Sequence, residues 1–103
     1  MNLLLAILFL TTLEANALRV LIDPGHGGQD KGAARVHRHN KKKLRVAEKD
    51  LTLQISKKIY QKIRKKHSAY LTRSVDRTIT VEERAELSDK LNIDLVISDH
   101  INS

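Results

Sequence analysis

Hydrophobic and polar positions divide this chain into segments of different period. Val20-Leu21-Ile22 is an unbroken apolar run that stops at Asp23-Pro24-Gly25. It reads as a buried strand over Arg19 to Ile22, ended by a tight turn. From about Glu48 to Lys66 the period becomes helical, with Leu51, Ile55, Ile59 and Ile63 forming one apolar stripe. The lysines lie mostly off that stripe. Glu48 and Asp50 sit in the first turn, where a helix dipole favours acids. A short strand is expected around Ala69 to Thr72. Thr80-Val81-Glu82-Glu83 has the form of a capping box, with Thr80 as N-cap. It opens a second helix running to about Leu91, with Val81, Ala85, Ser88 and Leu91 turned inward. Asp94 to Ser98 carries a last apolar run, Leu95-Val96-Ile97. The order β-α-β-α-β predicts an α/β fold, the start of a mostly parallel sheet flanked by helices and cut short. Gly25 to about Val46 reads as a long polar loop, and Lys41-Lys42-Lys43 within it as a solvated charge run.

The N-terminus belongs to a different pattern. Leu3 to Leu10 is uninterruptedly apolar, far below the ~20 residues that a membrane span needs. Ala15-Asn16-Ala17 follows as a small-x-small site. Residues 1–17 therefore read as a secretory signal cleaved before Leu18, although the leading region carries no Lys or Arg. An uncleaved N-terminal anchor is the alternative. Residues 18–103 form the remaining domain, and the expected location is periplasmic or extracellular.

Charge narrows the partners. The 103-residue chain holds 19 Lys and Arg against 12 Asp and Glu, a net charge of +7, and loss of Glu14 with the leader raises it to +8. Such a surface suits anionic cell-wall polymers, lipid head groups or nucleic acid. Past the leader the aromatics are Tyr60 and Tyr70 alone, too few for stacking platforms, so nucleic acid is disfavoured. With no cysteine, disulfides and Cys-ligated zinc are excluded.

Candidate chemistry gathers at strand ends. His26 lies in the glycine-rich turn after the first strand, and His100 just past the last. In parallel α/β sheets the carboxyl ends of strands form sites. Both histidines, and Glu48 at a helix start, should face one sheet edge. Two imidazoles and a carboxylate are a common catalytic zinc set. Local readings stay open beside it: an incidental turn histidine, a helix-dipole carboxylate and a surface His100. His37 and His39 read as solvated loop residues.

Taken together, four motifs resemble the zinc-dependent N-acetylmuramoyl-L-alanine amidases. Asp23-Pro24-Gly25-His26-Gly27-Gly28, followed by Asp30 and Gly32-Ala33, is similar to the opening motif. Glu48-Lys49-Asp50-Leu51-Thr52-Leu53 resembles the second. Leu71-Thr72-Arg73, Asp76 and Glu83-Arg84 resemble the intervening segment, and Ser98-Asp99-His100-Ile101-Asn102 the third. The resemblance implies zinc held by His26, Glu48 and His100. It implies zinc-dependent hydrolysis of the amide between N-acetylmuramic acid and L-alanine in peptidoglycan. It also implies a general-base glutamate on a segment after the third motif, hence beyond Ser103, and little activity for this chain by itself. Glu82, Glu83 and Glu86 match the helix before the third motif and do not fill that role. The third motif departs from the family pattern at Asp99, where an apolar residue is usual, and at Ile101, where a small one is. Strand alternation puts Asp99 on the face opposite His100. The alternative function is a non-catalytic basic secreted module that binds anionic cell-wall polymer.

Overall fold

The computed structural model describes residues 17–101. Residues 1–16 of the leader read over residues 1–17 lie outside them, as does Asn102 of the third motif. Among the described residues no helix is long and apolar enough to cross a membrane.

Among the described residues seven elements follow in order: β1 (Arg19–Pro24), β2 (Ala34–His39), β3 (Lys42–Ala47), α1 (Glu48–Ile63), β4 (Ser68–Leu71), α2 (Val81–Lys90) and β5 (Leu95–Asp99). β1, β4 and β5 form a parallel sheet in the order β4-β1-β5. The middle strand explains the continuous apolar run, because a parallel strand is covered on both faces. Val20, Leu21 and Ile22 are at most 2% exposed and make up the apolar core. The register sets Asp23 beside Ser98 and Pro24 beside Asp99, so β1 and β5 end level.

The expected α/β class holds, and two details of it need correction. The segment read as a loop to Val46 contains an antiparallel hairpin, β2 paired with β3. Its strands carry so much charge that alternation with apolar residues is nearly invisible. The two-residue connection is Asn40-Lys41, with φ of 50° and 65°. Two positive φ values mark a type I′ turn, which matches strand twist, and Asn is among the few residues that tolerate it.

The second correction concerns α1. Its buried line is Glu48, Thr52 and Ser56, not the predicted apolar stripe, and Ile55 of that stripe is 39% exposed. Short polar side chains let the helix approach the carboxyl end of the sheet closely. They are satisfied there: the Thr52 hydroxyl donates to the Gly25 carbonyl at 2.8 Å and the Ser56 hydroxyl to Asp99 Oδ2 at 3.2 Å. Leu51, Ile59 and Ile63 are half-buried beside that line.

α2 starts as expected, with Thr80 Oγ1 accepting from the Glu83 N–H at 3.0 Å. It buries no residue fully. Of the residues expected to turn inward, Val81 and Ala85 are exposed and Ser88 and Leu91 half-buried; Val81, Ala85 and Ser88 line, with Leu21 and Val96, an open cleft of about 560 Å³ that reaches His26 and His100.

A candidate metal centre at the sheet edge

The turn after β1 carries His26 in a left-handed backbone conformation, φ 65°. Side chains rarely adopt it, so surrounding contacts must hold it. Two arginines supply them. Arg84, from α2, pairs with Asp23 and donates to the carbonyls of Pro24 at 3.0 Å and His26 at 2.8 Å. Arg73, only 2% exposed, donates to the Gly25 carbonyl at 3.1 Å, the Lys49 carbonyl at 2.9 Å and the Pro24 carbonyl at 3.3 Å. Burial pulls the Arg73 guanidinium below its usual range, and the Arg84 charge adds to that. Asp23 also accepts from Thr72 at 2.8 Å and Ser98 at 3.1 Å, which ties the ends of all three strands together.

Glu48 opens α1 directly beneath this turn and is 5% exposed. The Ala33 N–H donates to its Oε1 at 3.0 Å and the Ile101 N–H to its Oε2 at 2.8 Å. Burial pushes the Glu48 carboxyl up, but these two donors and the nearby His26 outweigh it, and it sits below the ordinary Glu range. Glu48 is thus kept as a carboxylate.

His26, Glu48 and His100 meet where the sequence placed them. His26 Nε2 is 3.0 Å and His100 Nδ1 3.6 Å from Glu48 Oε2, and one ligand atom from each lies within 4.8 Å of the others. Ligand atoms about 2.1 Å from a tetrahedral metal stand roughly 3.4 Å apart, so the cluster has the right size for one ion. The two rings meet edge to face with centroids 5.1 Å apart. The His26 side chain is 22% exposed and that of His100 47%, so the cluster opens to the cleft. His39 is exposed on the hairpin and is not in the cluster.

Asp30, quoted in the opening motif without a role, has one here. Its Oδ2 lies 3.0 Å from His26 Nδ1, and its Oδ1 accepts from the Gly32 N–H at 3.1 Å. The His26 bond, then the Gly32 donor, hold its carboxyl below the usual range against slight burial. A carboxylate on Nδ1 fixes the tautomer that leaves the Nε2 lone pair free for a metal. The glycines around the cluster are spatially required. At Gly32 (φ +66°) a Cβ would stand 2.5 Å from the His26 ring and 2.8 Å from Glu48 Oε1, and at Gly25 2.7 Å from the His100 ring. Asp99 points away from His100 toward α1, as alternation required, and Ser56 satisfies it.

Known proteins resemble this chain in sequence and in fold. The pattern of the N-acetylmuramoyl-L-alanine amidase family matches residues 20–103. The chain is 35% identical over 97 residues to a probable N-acetylmuramoyl-L-alanine amidase AmiB of Haemophilus influenzae, covering 92% of this chain and 21% of that protein. It is 34% identical to N-acetylmuramoyl-L-alanine amidase AmiC of Escherichia coli, covering 82% of this chain and 19% of that one. Among solved structures, N-acetylmuramoyl-L-alanine amidase from Clostridium difficile 630 superposes with a TM-score of 0.69 at 37% identity, over 85% of this chain and 45% of the other. The catalytic domain of CwlV from Bacillus (Paenibacillus) polymyxa gives a TM-score of 0.71 at 29% identity, over 82% and 45%. The chain thus spans about a fifth of these curated relatives and under half of these solved chains.

Proposed function

The chain belongs to the N-acetylmuramoyl-L-alanine amidase family, and on that footing we propose that it carries the zinc-holding part of a peptidoglycan amidase. The observation that supports this most is the convergence of His26, Glu48 and His100 from three different elements on one point. His26 would bind through Nε2, Glu48 through a carboxylate oxygen and His100 through Nδ1. Bound zinc supplies Lewis-acid polarisation of the scissile carbonyl and acidifies water at neutral pH. The substrate is the amide between N-acetylmuramic acid and L-alanine, in the wall outside the cytoplasm.

The chain's own groups would do the rest. Asp30 sets the His26 tautomer, and the Ala33 and Ile101 amides keep Glu48 ionised. Ile79, Val81, Ala85 and Val96 wall the cleft beside the histidines. Amide hydrolysis also needs a carboxylate to take the water's proton and deliver it to the leaving amine. The acids that line the cleft are engaged: Asp23 with Arg84, Thr72 and Ser98, Asp30 with His26. The general base, as the family resemblance implies, is a carboxylate outside the described residues.

Metal analysis of the purified chain tests the reading. About one zinc per chain is expected, lost in both His26→Ala and His100→Ala. Zinc at background level in the unaltered, folded chain would overturn it.

A further inference from the structure

The β2–β3 hairpin takes no part in the metal cluster, yet both its ends are rooted there. Ala33 donates to the Glu48 side chain and its carbonyl accepts from the Glu48 N–H at 2.7 Å, while Ala34 pairs with Ala47, the residue before Glu48. From that root each strand extends six residues, about 20 Å.

The charge on this arm is of one sign. Residues 31–47 contain seven Lys or Arg and no Asp or Glu. Arg35, Arg38, Lys41, Lys42, Lys43 and Arg45 are all exposed, and among the described residues none of them forms an ion pair. The register even sets Arg38 directly opposite Lys43. Like charges across a ladder destabilise it. A hairpin that keeps such a pair, with no internal acid to relieve it, is suited to an external polyanion.

The form of the arm narrows that polyanion. Its charges stand on both faces, Arg38, Lys43 and Arg45 on one and Arg35 and Lys42 on the other, so a flexible linear polyanion can wrap the arm where a flat surface would meet only part of its charge. Residues 31–47 hold no aromatic side chain on which bases could stack. The exposed apolar residues Val36 and Leu44 are paired with Arg45 and His37 respectively. They therefore lie on opposite faces and offer no single apolar surface to a lipid bilayer.

We propose that the hairpin is a docking arm for a linear polyol-phosphate polymer of the cell wall, which it holds beside the metal centre. This rests on the peptidoglycan reading, which sets the chain among such polymers.

The full chain, titrated with poly(glycerol phosphate) at low and at physiological salt, tests the arm. Binding is expected, and it should weaken steeply as salt rises. Lys41→Gln/Lys42→Gln/Lys43→Gln should weaken it at least about tenfold. Lys57→Gln/Lys58→Gln/Lys62→Gln, which removes the same charge from exposed positions of α1, should weaken it less than about twofold. No binding, or equal weakening by both variants, would overturn the proposal. So would single-stranded poly(dT) or phosphatidylglycerol vesicles binding as tightly as the polymer. Zinc content measured on the same samples separates the two readings. Zinc without polymer binding sinks the arm alone, whereas polymer binding without zinc sinks the amidase reading and leaves the arm.

Discussion

Two acidic side chains bring consequences that can be measured one residue at a time. Asp30 touches His26 on the nitrogen away from Glu48 and so acts on a metal only through the ring. Asp30→Asn should weaken zinc affinity about 10- to 100-fold while the fold stays intact, read by competition with a chelating dye. Unchanged affinity would mean that the Gly32 turn alone orients the ring. Asp76 works on the loop behind. Its Oδ2 accepts from Lys49 Nζ at 2.7 Å and its Oδ1 from the Gly28 N–H at 2.7 Å, and these hold its carboxyl below the ordinary value of 3.8. A carboxyl lowered on folding stabilises the native state above its unfolded value, and that contribution fades as pH falls through the lowered folded value. Wild type should therefore exceed Asp76→Asn in urea midpoint at neutral pH, and the gap should close in acid below 3.8. A gap independent of pH would show that Lys49 and Asp76 are not coupled in solution.

At the scale of elements, the hairpin and the first helix departed from expectation for opposite reasons. The hairpin was hidden because its charged residues mask alternation and because Asn40-Lys41 is an uncommon turn pair. Lys41 carries φ of 65° with a full side chain. Lys41→Gly would create the Asn-Gly pair that type I′ turns favour. Relief of about 1–2 kcal/mol at the turn, less about 0.4–1 kcal/mol for the freer unfolded chain, should leave the hairpin more stable, seen as slower amide exchange in β2 and β3. Faster exchange would mean that entropy lost from the unfolded chain outweighs the relief at the turn. The helix was legible in extent but not in orientation. Four isoleucine and leucine positions announced an apolar stripe, while the sheet selected the line Glu48, Thr52 and Ser56. Carbonyls and a carboxylate at the strand ends need hydroxyl donors close by, and bulky side chains would hold the helix too far away.

For the whole molecule, a metal held by the cluster would act as a clasp. His26 follows β1, Glu48 starts α1 and His100 follows β5. An ion that binds only when all three are assembled stabilises the fold by mass action. Zinc at about a hundredfold excess over its dissociation constant should add about 2.7 kcal/mol, raising the melting temperature, and a chelator should reverse it. His100→Ala should abolish the response. A melting temperature indifferent to zinc would mean that the cluster does not assemble around metal. The sheet edge and the open cleft beside α2 carry less cohesion than β1, since Leu95, Val96 and Val81 are 46%, 47% and 78% exposed.

The sequence by itself determined the α/β class, the strand that became the core, the Thr80 cap and the three residues of the cluster. Each of these is announced locally: by an apolar run, by a cap three residues from its partner, or by motifs sitting where strands end. Tertiary structure decided what depends on distance across the chain. It set which face of α1 is buried, it gave Asp30 and the two arginines their roles around His26, and it turned Asp99 toward Ser56. It also folded the basic segment back on itself. Apart from the hairpin and the Asp30–His26 contact, which close over short stretches of chain, those outcomes follow from the parallel register of β1 with its neighbours, which brings residues some 50 to 75 positions apart within hydrogen-bonding reach, a relation no local pattern encodes.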